Sequence, residues 1–160
     1  PSPDSRWLLG IDLMPDGRTQ FVLNELATGV SRGIDATAGS VNVINSAWSP
    51  DSKVVAYWDA ADGFLKRLAI DTGAVTRMVQ FRDVRSIGWG PDGIVLYDLP
   101  GTGNGAGLQF VQPDGGSPRL LAASMRNPIV LPDGNVLAQA FGDSTGALDL
   151  NSAQAASQGA

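Results

Sequence analysis

Three aspartates close apolar runs directly behind a bulky residue, in Ile11-Asp12, Trp58-Asp59 and Tyr97-Asp98, and Asp143 falls near the same place in a fourth run. Carboxylates at matched places in a repeated structure could gather on one rim and, with Asp16 and Asp62 nearby, hold a hard cation such as calcium. A second chemistry competes with that one. Asp is also the ordinary residue where strands turn, and none of these segments has EF-hand ligand spacing. Solvated turn chemistry is therefore expected at Asp12, Asp59, Asp98 and Asp143, with no metal and no cofactor.

Other chemistries are closed off by composition. The chain has no His and no Cys, which removes the commonest general base, the commonest transition-metal ligand and every thiolate. Ser-His-Asp and Cys-His arrangements cannot be assembled, and no G-x-S-x-G elbow occurs. The segment Gly101 to Ala106, "GTGNGA", fits a dinucleotide-binding pattern formally. The next residues, "GLQFVQPDG", read as a strand and turn, where a pyrophosphate site needs a helix N-terminus; a Gly-rich loop is expected instead. The net charge of −5 without clustered Lys or Arg also argues against nucleic acid. Apolar stretches such as Val54 to Trp58 fall far short of the roughly 18 residues of a membrane helix, so no membrane insertion is expected. No basic segment followed by an apolar one opens the chain, so no signal peptide is expected; a mature secreted form would look the same.

The elements that must position these residues are short strands. All but one of the 16 acidic residues are Asp, and with 20 Gly and 10 Pro the composition favours tight turns over helices. The turns repeat. "SPDSRWLLGID", "SPDSKVVAYWD", "GPDGIVLYD" and "LPDGNVLAQAF" place Pro3-Asp4, Pro50-Asp51, Pro91-Asp92 and Pro132-Asp133 in register, the prolines 47, 41 and 41 residues apart. A period of roughly 40–45 residues belongs to four-stranded propeller blades. Pro fixes φ, Asp bonds to the backbone ahead, and Ser or Gly completes the reversal. A second hairpin recurs at Gly29, Gly73 and Gly115. One repeat then reads strand a (43–49), turn, b (53–58), loop, c (64–70), turn, d (75–79), and the next reads 84–89, 94–97, 108–112 and 119–122. Trp48 and Trp89, each two residues before the turn proline, are expected to pack between blades rather than stack on a ligand.

"SAWSPDSKVVAY" and "LQFVQPDGGSPRLL" resemble the TolB-type, or WD40-like, propeller repeat, over residues 1 to about 141. The fourth copy departs from it, with Val130 in place of the aromatic residue. The resemblance implies an all-β propeller; the repeat positions give two full and two partial blades over 1–150, expected to be part of a larger or oligomer-completed propeller, and the small, polar segment 151–160 reads as a linker or tail. Three functions stay open. The first is a non-catalytic binding or assembly module presenting loops. The second is an accessory propeller of a larger enzyme, such as a peptidase or receptor kinase. The third is a metal-dependent hydrolase on the Asp rim. The expected partner is a protein, or a second copy meeting it through open blade edges. An extracytoplasmic location, periplasmic or secreted, is expected, with the cytoplasm left open.

Overall fold

The computed structural model describes residues 1–34, 45–99 and 107–140. Thirteen strands and no α-helix occupy them. The chain's contacts divide it into two compact units, 1–81 and 82–160.

In the first unit, β1 (Trp7–Leu13), β2 (Thr19–Glu25) and β3 (Ser31–Ile34) form a three-stranded antiparallel sheet. β4 (Ser46–Trp48), β5 (Val54–Asp59), β6 (Phe64–Ala69) and β7 (Val75–Gln80) form a four-stranded antiparallel meander. These are the b–d strands of the first repeat and the a–d strands of the second. The second unit holds a four-stranded meander of β8 (Val84–Gly90), β9 (Gly93–Asp98), β10 (Gly107–Val111) and β11 (Arg119–Ala123). Its last element is the hairpin of β12 (Met125–Val130) and β13 (Val136–Ala140). The candidate residue Asp143, the Gly-rich segment 101–106 and the tail 151–160 lie outside the described residues.

The repeated turns show why Ser-Pro-Asp precedes a strand. The Ser49 N–H donates to the Val54 carbonyl at 2.8 Å, while its hydroxyl accepts the Val54 N–H at 2.9 Å and donates to Asp51 Oδ1 at 2.7 Å. Asp51 Oδ1 also accepts the Lys53 N–H at 3.1 Å. Ser2, Asp4, Arg6 and Trp7 repeat the same web at 2.8, 2.9, 2.6 and 3.0 Å. These bonds hold both Asp51 and Asp4 below the usual carboxylate range, through the serine hydroxyl first and the backbone N–H second. The fourth turn residue is left-handed at Ser5, Ser52 and Gly134 (φ 60, 62 and 86°). The turns differ in length, however. The closing pairs are Ser49 with Val54, Gly90 with Gly93 and Leu131 with Asn135. A further Pro-Asp-Gly turn, Met14 to Arg18, joins β1 to β2 and has the same bonding as Leu131 to Asn135. Asp16 is a turn residue there and pairs with Arg18 at 2.7 Å.

Each unit has its own core. Phe21, Leu23 and Ile34 pack with Val55, Tyr57, Leu68 and Ile70, with Trp7, Leu9, Ile11 and Trp48 half-buried against them. Phe21 and Tyr57 meet edge to face at 4.9 Å between centroids. Each such side chain contributes about 1.5–3 kcal/mol on burial. In the second unit Val95, Tyr97 and Leu108 pack with Val136 and Ala138 of the terminal hairpin. Val130 stands where the second and third copies have Trp48 and Trp89, and it packs on β8. It lies over Gly88 and Gly90, so close that a Cβ on Gly90 would sit 2.3 Å from its Cγ1.

Candidate functional site

The ends of the b strands carry the carboxylates that could do chemistry, and β5 supplies the densest cluster. Asp59, the last residue of β5, is 2% exposed. Its Oδ1 accepts the Ala61 N–H at 2.9 Å and its Oδ2 accepts Lys66 Nζ at 2.6 Å. Lys66 comes from β6 and bonds Asp62 Oδ2 as well, at 3.0 Å. Arg77 of β7 reaches the same oxygen at 2.9 Å. Backbone bonds fix the loop between: Gly63 N–H to the Asp59 carbonyl and Phe81 N–H to the Gly63 carbonyl, both 2.8 Å. The indole N–H of Trp58 donates to the Phe81 carbonyl at 3.3 Å.

The electrostatics are set by this geometry. Burial pushes the Lys66 ammonium down, but the hydrogen bonds it donates to Asp59 and Asp62 outweigh that and raise its pKa. Burial pushes Asp62 up, and the bonds from Lys66 and the Phe64 N–H outweigh that and lower it. A buried lysine that is more firmly protonated than usual is not a nucleophile, and a carboxylate spent on it is a poor general base. The cluster is a clamp on the loop between β5 and β6.

The other matched aspartates have different surroundings. Asp12 is exposed on β1, opposite Gln20. Asp98 is fully buried at the end of β9, between Val84 and Gly107 in register. Among the described residues, Asp59 and Asp62 are the only candidate aspartates brought together, and no group of three or more His, Cys, Asp or Glu is placed to hold a metal ion. Sequence reasoning misses Lys66 and Arg77. The available signal is a lysine inside the apolar run "FLKRLA", seven residues after Asp59, where a buried charge needs a partner. Trp48 packs against the core of the first unit, and Trp89 is half-buried on β8 beside the turn proline Pro91.

Four-stranded antiparallel meanders with a Pro-Asp turn between their first two strands and the second strand buried on both faces decide the architecture. The fold is a TolB-like β-propeller. Among solved structures, TolB from Acinetobacter baumannii is similar at 18% identity and a TM-score of 0.73, over 94% of this chain and 40% of that one. An oligogalacturonate lyase in complex with manganese is similar at 17% identity and a TM-score of 0.67, over 89% and 44%. The β-propeller domain of the Trilobed protease from Pyrococcus furiosus, described as having an open velcro topology, is similar at 10% identity and a TM-score of 0.56, over 87% and 47%. The chain therefore spans under half the length of these three structures. No protein-family model matches it, and no curated protein matches its sequence.

Proposed function

We propose that this TolB-like propeller chain is a non-catalytic binding or assembly module whose loops recognise a protein or another ligand. The observation that carries the reading is the use made of its best-placed charges. Asp59, Asp62, Lys66 and Arg77 pair with one another and with the backbone between them, and Asp4, Asp51 and Asp133 are spent on turn N–H groups. Carboxylates engaged in the scaffold in this way support presentation of loops rather than proton transfer. The resemblance to TolB supports an extracytoplasmic location.

The similarity to a lyase supplies the decisive assay. Incubated with oligogalacturonate and manganese, the chain is expected to give no rise in absorbance from unsaturated product. Turnover that disappears in a matched carboxylate variant with an unchanged melting temperature would establish an enzyme and overturn the reading. A second reading has one observation in its favour: the similar Pyrococcus structure is a domain of a protease. In that case the module serves a catalytic domain on the same polypeptide, and the reading frame on either side of these 160 residues tests it.

A further inference from the structure

At one end of the first sheet, Trp7 carries two guanidinium groups. The central carbons of Arg6 and Arg32 lie 5.7 and 5.4 Å from its ring centre, and the indole is half-buried against the core of the unit. Arg32 is held from a second side, because its Nη2 donates to the Ile70 carbonyl of the second sheet. The acidic neighbours of Arg6 are engaged elsewhere. Asp4 Oδ1 accepts the Arg6 main-chain N–H at 3.0 Å and the Ser2 hydroxyl at 2.6 Å. Glu25, opposite Trp7 in register, accepts the Thr28 hydroxyl at 2.7 Å on one oxygen, and its other oxygen is 3.9 Å from Arg6. The Arg6 side chain is 65% exposed, and a guanidinium has five N–H donors to place.

The scaffold does not require this arrangement. In the second repeat, whose four strands are all described, Lys53, Val54, Ala69 and Thr76 hold the places of Arg6, Trp7, Glu25 and Arg32, by the register of each strand with the next. A valine suffices where the first repeat has the tryptophan, and Lys53 and Thr76 are both exposed. This end of a blade is thus open to water in a repeat that has all its strands, so access to Arg6 and Arg32 does not depend on what adjoins β1. Trp and Arg are also the residues that dominate binding surfaces, and a guanidinium already stacked on an indole loses less freedom when it pairs.

We propose that Arg6, Trp7 and Arg32 form a docking site for a short acidic segment of a partner protein, whose one or two Asp or Glu side chains pair with the two guanidinium groups. Charge selects that occupant. The chain has a net charge of −5, so its field repels a long polyanion such as nucleic acid or an oligouronate, whereas one or two carboxylates respond to the local pair of cations. Val30 is 62% exposed at the same end of the sheet, where its carbonyl accepts the Glu25 N–H at 2.8 Å, so the segment carries an apolar residue beside its carboxylates. The inference rests on the reading of the chain as a binding module and gives that module a place and a partner chemistry.

Heteronuclear NMR of the nitrogen-labelled 160-residue chain tests it, with the capped peptide Gly-Glu-Leu-Glu-Gly as probe. The Trp7 indole N–H and the Arg6 and Arg32 Nε–H signals are expected to move saturably, with half-saturation on the order of 1 mM, while the other indole signals stay in place. Trp7→Val and Arg32→Thr install the residues that the second repeat has at those places, and each is expected to weaken binding on the order of ten-fold. Glu25→Gln removes the competing carboxylate and is expected to tighten binding about two-fold; it leaves the indole and both arginines in place, which guards against misfolding of the other two variants. Four outcomes overturn the proposal. The peptide with Gln for both Glu moves the same signals equally, or sodium acetate at equal carboxylate concentration reproduces the shifts, which reduces the site to an adventitious ion only. Glu25→Gln weakens binding, or an oligouronate moves these signals at lower concentration than the peptide does. None of them is a measurement of turnover, so the lyase assay tests the binding-module reading separately.

Discussion

β1 and β5 occupy the same place in consecutive repeats, leave the same Ser-Pro-Asp-Ser turn and end in the same kind of apolar-then-Asp run, yet their surroundings differ sharply. β5 is buried along five of its six residues, whereas β1 has three exposed residues and none buried. β5 has β4 on one side and β6 on the other, and β1 has only β2 among the described residues. The difference continues into the chemistry. On β6 the residue paired with Tyr57 is Lys66, and on β2 the residue paired with Gly10, the counterpart of Tyr57, is Val22. Asp59 therefore acquires a cation and goes inside, while Asp12 lies opposite an uncharged residue and stays in water. Identical local code does not make equivalent sites. What a strand-end carboxylate becomes is decided by the charges that the paired strand brings to it.

The largest effect should come from breaking that asymmetry. Lys66→Ala leaves Asp59 buried without its cation and is expected to cost about 3–5 kcal/mol of stability. Asp12→Ala removes an exposed carboxylate and should stay within about 0.5 kcal/mol. Urea unfolding of both variants checks this; comparable losses would mean that the two strands are not as different as their burial indicates. The pH dependence has a definite sign. Asp51 and Asp62 have folded pKa values below the ordinary 3.8, so their stabilisation is present above it and is lost as pH falls through the lower folded values. Lys66 is raised above 10.5, so its contribution is full below 10.5 and is lost as pH rises through the folded value.

A second contrast lies in the a strands. Gly88 of β8 faces Val130, while Ile129, one repeat later, is 61% exposed. Gly88→Ile should overpack the approach of the terminal hairpin by about 1–3 kcal/mol and be partly relieved by Val130→Ala. Ile129→Thr should be close to neutral. Thermal melts of the single and double variants decide it, and an additive double variant would remove the claimed contact.

The turns give a smaller, graded effect. Replacing Pro50-Asp51 by Ala-Ala should cost about 1–2 kcal/mol, through a freer unfolded chain and the lost bonds to Ser49 and Lys53. The same change at Pro3-Asp4 should cost less, since the strand that follows it, β1, has no buried residue, where β5 is buried along most of its length. Thermal melts of the two variants compare them. Equal costs would show that the turn is stabilised locally and owes nothing to the ladder it joins.

These contrasts mark what was legible in the sequence. The strands could be placed because Pro-Asp and Gly punctuate the chain, and Gly29, Gly73 and Gly115 do take positive φ, at 70, 71 and 96°. Strand a of the second repeat is expected from residue 43, and its described part is Ser46–Trp48. The loop lengths were not legible, because Pro-Asp suits reversals of different lengths, and the Met14 to Arg18 turn falls outside the repeat count for that reason. The clamp on Asp59 was the chief omission. Lys66 and Arg77 come from two neighbouring strands, and only the register of β5 with β6 and of β6 with β7 brings them to one loop. Spacing along the chain carries no trace of that register until the loop lengths are known.

The smallest expected effect is none at all, and it concerns the carboxylates that opened the question. Neither calcium nor manganese, nor a chelator, should move the melting temperature. Asp59 Oδ1 and Oδ2 are already engaged by the Ala61 N–H and Lys66 Nζ, so a cation would have to expel the lysine and bear the cost of leaving it unpaired. Asp12 is exposed, and no metal-holding group of acidic residues forms around it among the described residues. A site filled at about 100 times its dissociation constant would add roughly 2.7 kcal/mol, well within reach of a melting curve. Metal titration of the intact chain beside Asp12→Asn therefore separates the cases. A saturable shift lost in that variant would return the b-strand ends to metal chemistry and make β1, not β5, the active edge of the comparison.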